Sequence, residues 1–88
     1  PVRTISSPYI LDLIPSSALD ARRIVKVCES IADSTWNYRT FTLVSDLTQH
    51  IQVGCVNEAQ AIRRMNWLSE NGLQFTGTIR KNENIEQH

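Results

Sequence analysis

A small, mostly α protein with a minor β component is the fold class this chain predicts: three helices, one short extended segment after them and an extended N-terminal arm. Three observations predict it. Three helix starts carry capping residues, apolar residues recur behind each at spacings of three and four, and an Asn-Gly pair closes the last helix. With 88 residues there is room for one domain only.

The arm comes first. Pro1, Pro8 and Pro15 bracket the apolar run Tyr9, Ile10, Leu11, Leu13 and Ile14, and prolines at both ends favour extended chain over helix. In extended chain, alternate side chains point to opposite sides. Tyr9, Leu11 and Leu13 then face one way and Ile10 and Ile14 the other, so residues 1–16 are expected to cover the core with one set. The other set offers a contact to a second chain.

Ser17 sits three before Asp20 in a capping-box pattern. Ala21, Ile24, Val25, Cys28, Ile31 and Ala32 follow on one face, giving a helix from about Ala18 to Asp33. Arg22, Arg23, Lys26, Glu29 and Ser30 form its solvated face. A polar link with Trp36 and Tyr38 leads to Phe41 in a brief strand. Thr42 then caps a short second helix, Leu43 to Ile51, which Val53 and Gly54 end. Asn57 caps helix three, about 58–71, with Ala61, Met65 and Leu68 on its inner face and Gly72 as a left-handed stop. Leu73 to Lys81 reads as extended chain with a turn or bulge at Gly77, and 82–88 as a flexible polar tail. No internal repeat is evident.

Nine Lys plus Arg balance nine Asp plus Glu, which excludes a polycation that coats nucleic acid. No apolar run reaches the length of a membrane span, and no secretory leader pattern opens the chain, so a cytoplasmic protein is expected. Cys28 and Cys55 lack Cys-x-x-Cys or His-pair spacing, so both are expected to be unbridged and unmetallated, with no cofactor. His50 reads as a surface residue. Convergent acid, base and nucleophile are missing, as is a Gly-rich phosphate loop, so no enzyme and no small-molecule ligand are expected.

From Ser17 to Lys81 the order of elements resembles a winged helix-turn-helix domain. Ala61, Met65, Leu68, Gly72 and Leu73 match the end of that superfamily's recognition helix, and Thr42, Leu43 and Leu47 the opening of the helix before it. The resemblance implies a three-helix core over 17–81 with a short β wing. It implies double-stranded DNA as partner, read by helix three in a major groove about 12 Å wide. Opposite its apolar stripe lie Gln60, Arg63 and Trp67, with Arg64 and Asn66 on the flanks. Gln60, Arg63 and Asn66 suit base edges, Arg64 a phosphate, and Arg80 and Lys81 the backbone beside a wing.

Four basic residues between Cys55 and Lys81 face Glu58 and Glu70, an excess of two, which calls for a dimer or a larger complex to hold DNA firmly. The reading is a transcriptional regulator of a compact genome, phage or plasmid. The alternative is a protein-binding winged helix, a corepressor, antirepressor or inhibitor of a regulator or polymerase. It would grip its partner through Trp67 and the arm residues Tyr9, Ile10, Leu11, Leu13 and Ile14.

Overall fold

The computed structural model describes residues 5–30 and 37–82. Along them run β1 (Tyr9–Pro15), α1 (Ala18–Ser30), β2 (Tyr38–Thr42), β3 (Gln49–Cys55), α2 (Glu58–Glu70) and β4 (Phe75–Lys81). The strands form one antiparallel sheet in the order β2-β3-β1-β4. With this succession of elements, that is the split-βαβ, ferredoxin-like arrangement. The expected three-helix, mostly α winged helix is overturned: two helices lie on a four-stranded sheet.

The largest revision is at the N-terminus. Residues 9–15 are the inner strand β1, hydrogen-bonded to β3 on one side and to β4 on the other, and not an arm beside the core. Leu11 and Leu13 are wholly buried and pack with Ile51 and Val53, which stand directly across from them. Ala21, Ile24 and Cys28 of α1 and Ala61 and Leu68 of α2 join the same cluster, so both helices cover one face of the sheet. The run read as uniformly apolar is therefore a strand buried on both sides.

The second revision is the helix expected over 43–51. Its place is taken by a turn, 43–48, and by the first residues of β3. Leu43, Leu47 and Ile51 fall at helical spacing by coincidence. From Gln49 the chain alternates instead: Ile51, Val53 and Cys55 face the helices while His50, Gln52 and Gly54 face away. β-branched Ile51 and Val53 favour that pleat. Leu73 to Lys81 is extended as expected, but Gly77 is no turn; it lies mid-strand in β4. A Cβ there would come 2.7 Å from Met65 Sδ, so the missing side chain lets α2 lie close to the sheet.

Both helices keep their predicted caps. Ser17 Oγ accepts from the Asp20 amide at 3.1 Å, and Asn57 Oδ1 from the Gln60 amide at 2.7 Å. The Asp20 carboxylate turns elsewhere, accepting the Ser17 hydroxyl at 2.7 Å and the Gln74 amide at 3.2 Å. These bonds, Ser17 first, hold it below the usual carboxylate range. Gly72 supplies the left-handed stop at φ +81°. The stretch 31–33, the end of the first expected helix, lies outside the described residues, as do Trp36 and 83–88. Asn82, read as the start of a loose tail, is buried: its Nδ2 donates to the carbonyls of Ile5 and Ser7 at 2.8 and 2.9 Å.

The architecture also discloses a repeat that the sequence does not show. β1 and β3 begin at 9 and 49, and α1 and α2 at 18 and 58, an offset of 40 both times. The caps Ser17 and Asn57 correspond, as do buried Ala21 and Ala61, and Cys28 and Leu68. Asp12 and Gln52 are equivalent and also stand opposite each other, so the pseudo-twofold passes between them. Where α1 buries Ile24, α2 buries Arg64.

Burial pushes the Cys28 thiol up to about 11, and burial raises Cys55 as well, with the Arg64 charge opposing it. The stability this lends is present below the pH at which the unfolded thiol ionises and is lost as pH rises through about 11. At pH 8 so weakly acidic a thiol holds about a hundredfold less thiolate than an ordinary cysteine, and the thiolate is the species that reacts. Cys28 should therefore resist iodoacetamide in the native protein and react at an ordinary rate in denaturant. Rapid native alkylation of Cys28, read by peptide mass, would contradict this packing.

Candidate functional site

The residues expected to read DNA are dispersed. Arg63 and Asn66 are exposed on α2. Gln60 is occupied at the helix start, where its Oε1 accepts the Val56 amide at 2.9 Å. Arg64 is buried; its Nη1 donates to the Gly54 carbonyl at 2.9 Å and approaches Cys55 Sγ at 3.8 Å. It ties α2 to β3 and is not offered to a phosphate. Arg80 points to the sheet face away from the helices, since it stands opposite Ile10, whereas Lys81 stands opposite Tyr9 on the helix side. A single recognition surface is not assembled.

The expected partner-binding set fares similarly. Ile10, Leu11 and Leu13 are buried and Tyr9 and Ile14 half-buried, so the strand's own sheet and helices use them. Trp67 is 41% exposed.

What the fold does bring together was missed from the sequence. On the face away from the helices, β2 places Arg39 and Phe41, β3 places His50 and Gln52, β1 places Asp12 and β4 places Arg80. His50 is buried, contrary to the surface reading. Its Nδ1 lies 3.0 Å from Asp12 Oδ1, and Arg80 Nη2 donates to Asp12 Oδ2 at 3.3 Å. The His50 ring stacks on Phe41, 5.2 Å between centroids and 3° between planes. The Arg39 guanidinium lies 5.6 Å from the Phe41 centroid and donates to Gln52 Oε1 at 2.8 Å.

The network runs on into the turn. His50 Nε2 is 3.0 Å from Thr48 Oγ1, and Thr48 Oγ1 is 2.7 Å from Asp46 Oδ1, which also accepts the Thr48 amide at 3.0 Å. These bonds, the hydroxyl first, hold Asp46 below the usual carboxylate range. The sequence of hydroxyl, imidazole and carboxylate looks like a nucleophile relay. It is not arranged as one, because the Thr48 hydroxyl hydrogen is directed to Asp46.

The turn itself carries the two most exposed large apolar side chains among the described residues. Leu43 N donates to Thr48 O at 2.9 Å and Leu47 N to Leu43 O at 2.8 Å, closing a tight loop. At its tip Val44 is 88% and Leu47 78% exposed. Leu47 has φ +60°, the left-handed region that costs a branched side chain about 1 to 2 kcal/mol. Glycine or asparagine would occupy this position more easily.

No protein-family model matches the chain, and neither does any curated protein or solved structure. Among the described residues, no group of three or more His, Cys, Asp and Glu side chains is placed to hold a metal ion, and no helix is long and apolar enough to cross a membrane.

Arg64 separates a structural from a phosphate-binding role. Arg64→Ala should lower unfolding free energy by about 2 to 4 kcal/mol, the scale of truncating a large buried side chain, whereas Arg63→Ala should stay within about 0.5 kcal/mol. Urea denaturation of the two variants checks this; equal stability would count against the buried position of Arg64.

Proposed function

We propose that this chain is a non-catalytic protein-binding module that docks through the 43–48 turn. The observation that carries the reading is Leu47: a large apolar side chain, almost wholly exposed, held in a backbone conformation that disfavours it. Strain of that kind persists where the surrounding structure over-determines it, here through the bonds that close the turn, and it clusters at binding and switch sites. Set against a total stability of about 5 to 15 kcal/mol, a penalty of about 1 to 2 kcal/mol is too large to be incidental in so small a domain. Val44 beside it adds a second exposed aliphatic group.

The chemistry of the tip describes its partner. Val44 and Leu47 call for an apolar pocket, and Asp46 between them, kept ionised by Thr48, calls for a Lys or Arg at the pocket's rim. A regulator or polymerase subunit bound in this way would be inhibited or recruited without base readout, the role of a corepressor or antirepressor. Direct binding of duplex DNA is the weaker reading, because Arg63 and Asn66 stand on α2 while Arg80 is turned to the opposite side of the sheet and engaged by Asp12.

Leu47→Asn tests the proposal because it moves stability and binding in opposite directions. Asparagine tolerates the left-handed backbone, so unfolding free energy should rise by about 1 kcal/mol. Binding should fall: from lysate of the native host, proteins retained by the wild type and by Arg63→Ala should be lost with Leu47→Asn and with Val44→Asp. Retention by both tip variants, or loss with Arg63→Ala alone, would overturn the docking site.

A further inference from the structure

We infer that the docking turn is held in shape by a protonated His50, so that its conformation responds to pH. The inference rests on the turn being the docking element, but its physical basis is a count of hydrogens. Thr48 Oγ1 carries one hydrogen and makes two short contacts, to Asp46 Oδ1 at 2.7 Å and to His50 Nε2 at 3.0 Å. Asp46 is an anion and can only accept, so the hydroxyl donates to it. The His50 contact is then a hydrogen bond only if Nε2 is the donor. On the other side of the ring, Nδ1 faces the Asp12 carboxylate at 3.0 Å and must donate there as well. Both ring nitrogens donate together only in the imidazolium.

The surroundings suit that charge. From β1 comes Asp12, from the turn Asp46, from β4 Arg80 and from β2 Arg39. Both helices lie across the sheet and add no charge on this side. Arg80 engages the second oxygen of Asp12 and Arg39 engages Gln52, so each cation near His50 is directed to an acceptor other than the ring. Phe41 presents its face to the imidazolium, a favourable placement for a cation.

When His50 gives its proton to water, Thr48 can satisfy Asp46 or His50 but not both. If it turns to His50, Asp46 loses one of the two bonds that fold the loop back at Leu47. The turn is therefore closed while both ring nitrogens of His50 carry a proton and loosened once one of them is lost.

The test uses the free protein, so that its failure is distinguishable from failure of the docking reading. Nitrogen-15 spectra of the His50 ring should show both nitrogens protonated at the acidic end. Across the same titration, amide hydrogen exchange at Leu47 and Thr48, corrected for its intrinsic pH dependence, should accelerate by about tenfold or more. Thr48→Val should abolish that coupling while His50 still titrates. If Thr48→Val does not fold, the wild-type titration decides alone. A His50 ring that is neutral even at the acidic end, or turn amides indifferent to the loss of its proton, overturns the proposal.

Discussion

Asp12 is a carboxylate in an inner strand of a sheet, and such a group can be buried there only if every part of its charge is met. Its side chain is 12% exposed, with His50 on one oxygen and the 56%-exposed Arg80 on the other. β3 contributes the first partner and β4 the second, so the two strands flanking β1 are held in register by the same carboxylate. Desolvating a carboxylate costs several kcal/mol, and breaking such a pair from one side commonly costs about 3 to 5 kcal/mol. The face away from the helices is therefore specified by polar pairing, while the face towards them is specified by apolar packing.

That division explains the arrangement of the rest. Leu11 and Leu13 fix which side of β1 faces the helices, and Asp12 between them is thereby committed to the other side. Phe41 stacks on the outer side of this network against the His50 ring, and Ile5 and Ser7, held by Asn82, close over Gly54 at the far end of β3. A Cβ at Gly54 would lie 2.5 Å from Ser7 Oγ, so this cover needs the glycine. Among the described residues, the turn is then the exposed apolar element attached directly to the polar network.

The helices were legible because their signals are local: Ser17, Asn57 and Gly72 act within one turn of the residues they terminate. The strands were less so. β1 is buried on both faces and loses the alternation that marks a strand, so its prolines made it look like an appendage. β3 alternates clearly, but Leu43 and Leu47 just upstream mimic a helical stripe that ends on Ile51. The site was not legible at all, since Asp12 and His50 are 38 residues apart and only the β1–β3 register makes them neighbours. Arg64 misled for a related reason: its spacing on α2 is that of a core position, filled by Ile24 in the first half, yet its charge suggested solvent.

The strand order has a consequence for how such a chain can be divided. Residues up to the turn form one βαβ half and residues after it the other, and the order β2-β3-β1-β4 alternates between them. Every ladder in the sheet therefore joins one half to the other, and among the described residues neither half contains a hydrogen-bonded strand pair of its own. A chain cut at the turn yields two fragments with no sheet unless they meet, the property wanted of a split reporter whose pieces are silent apart and complete only together.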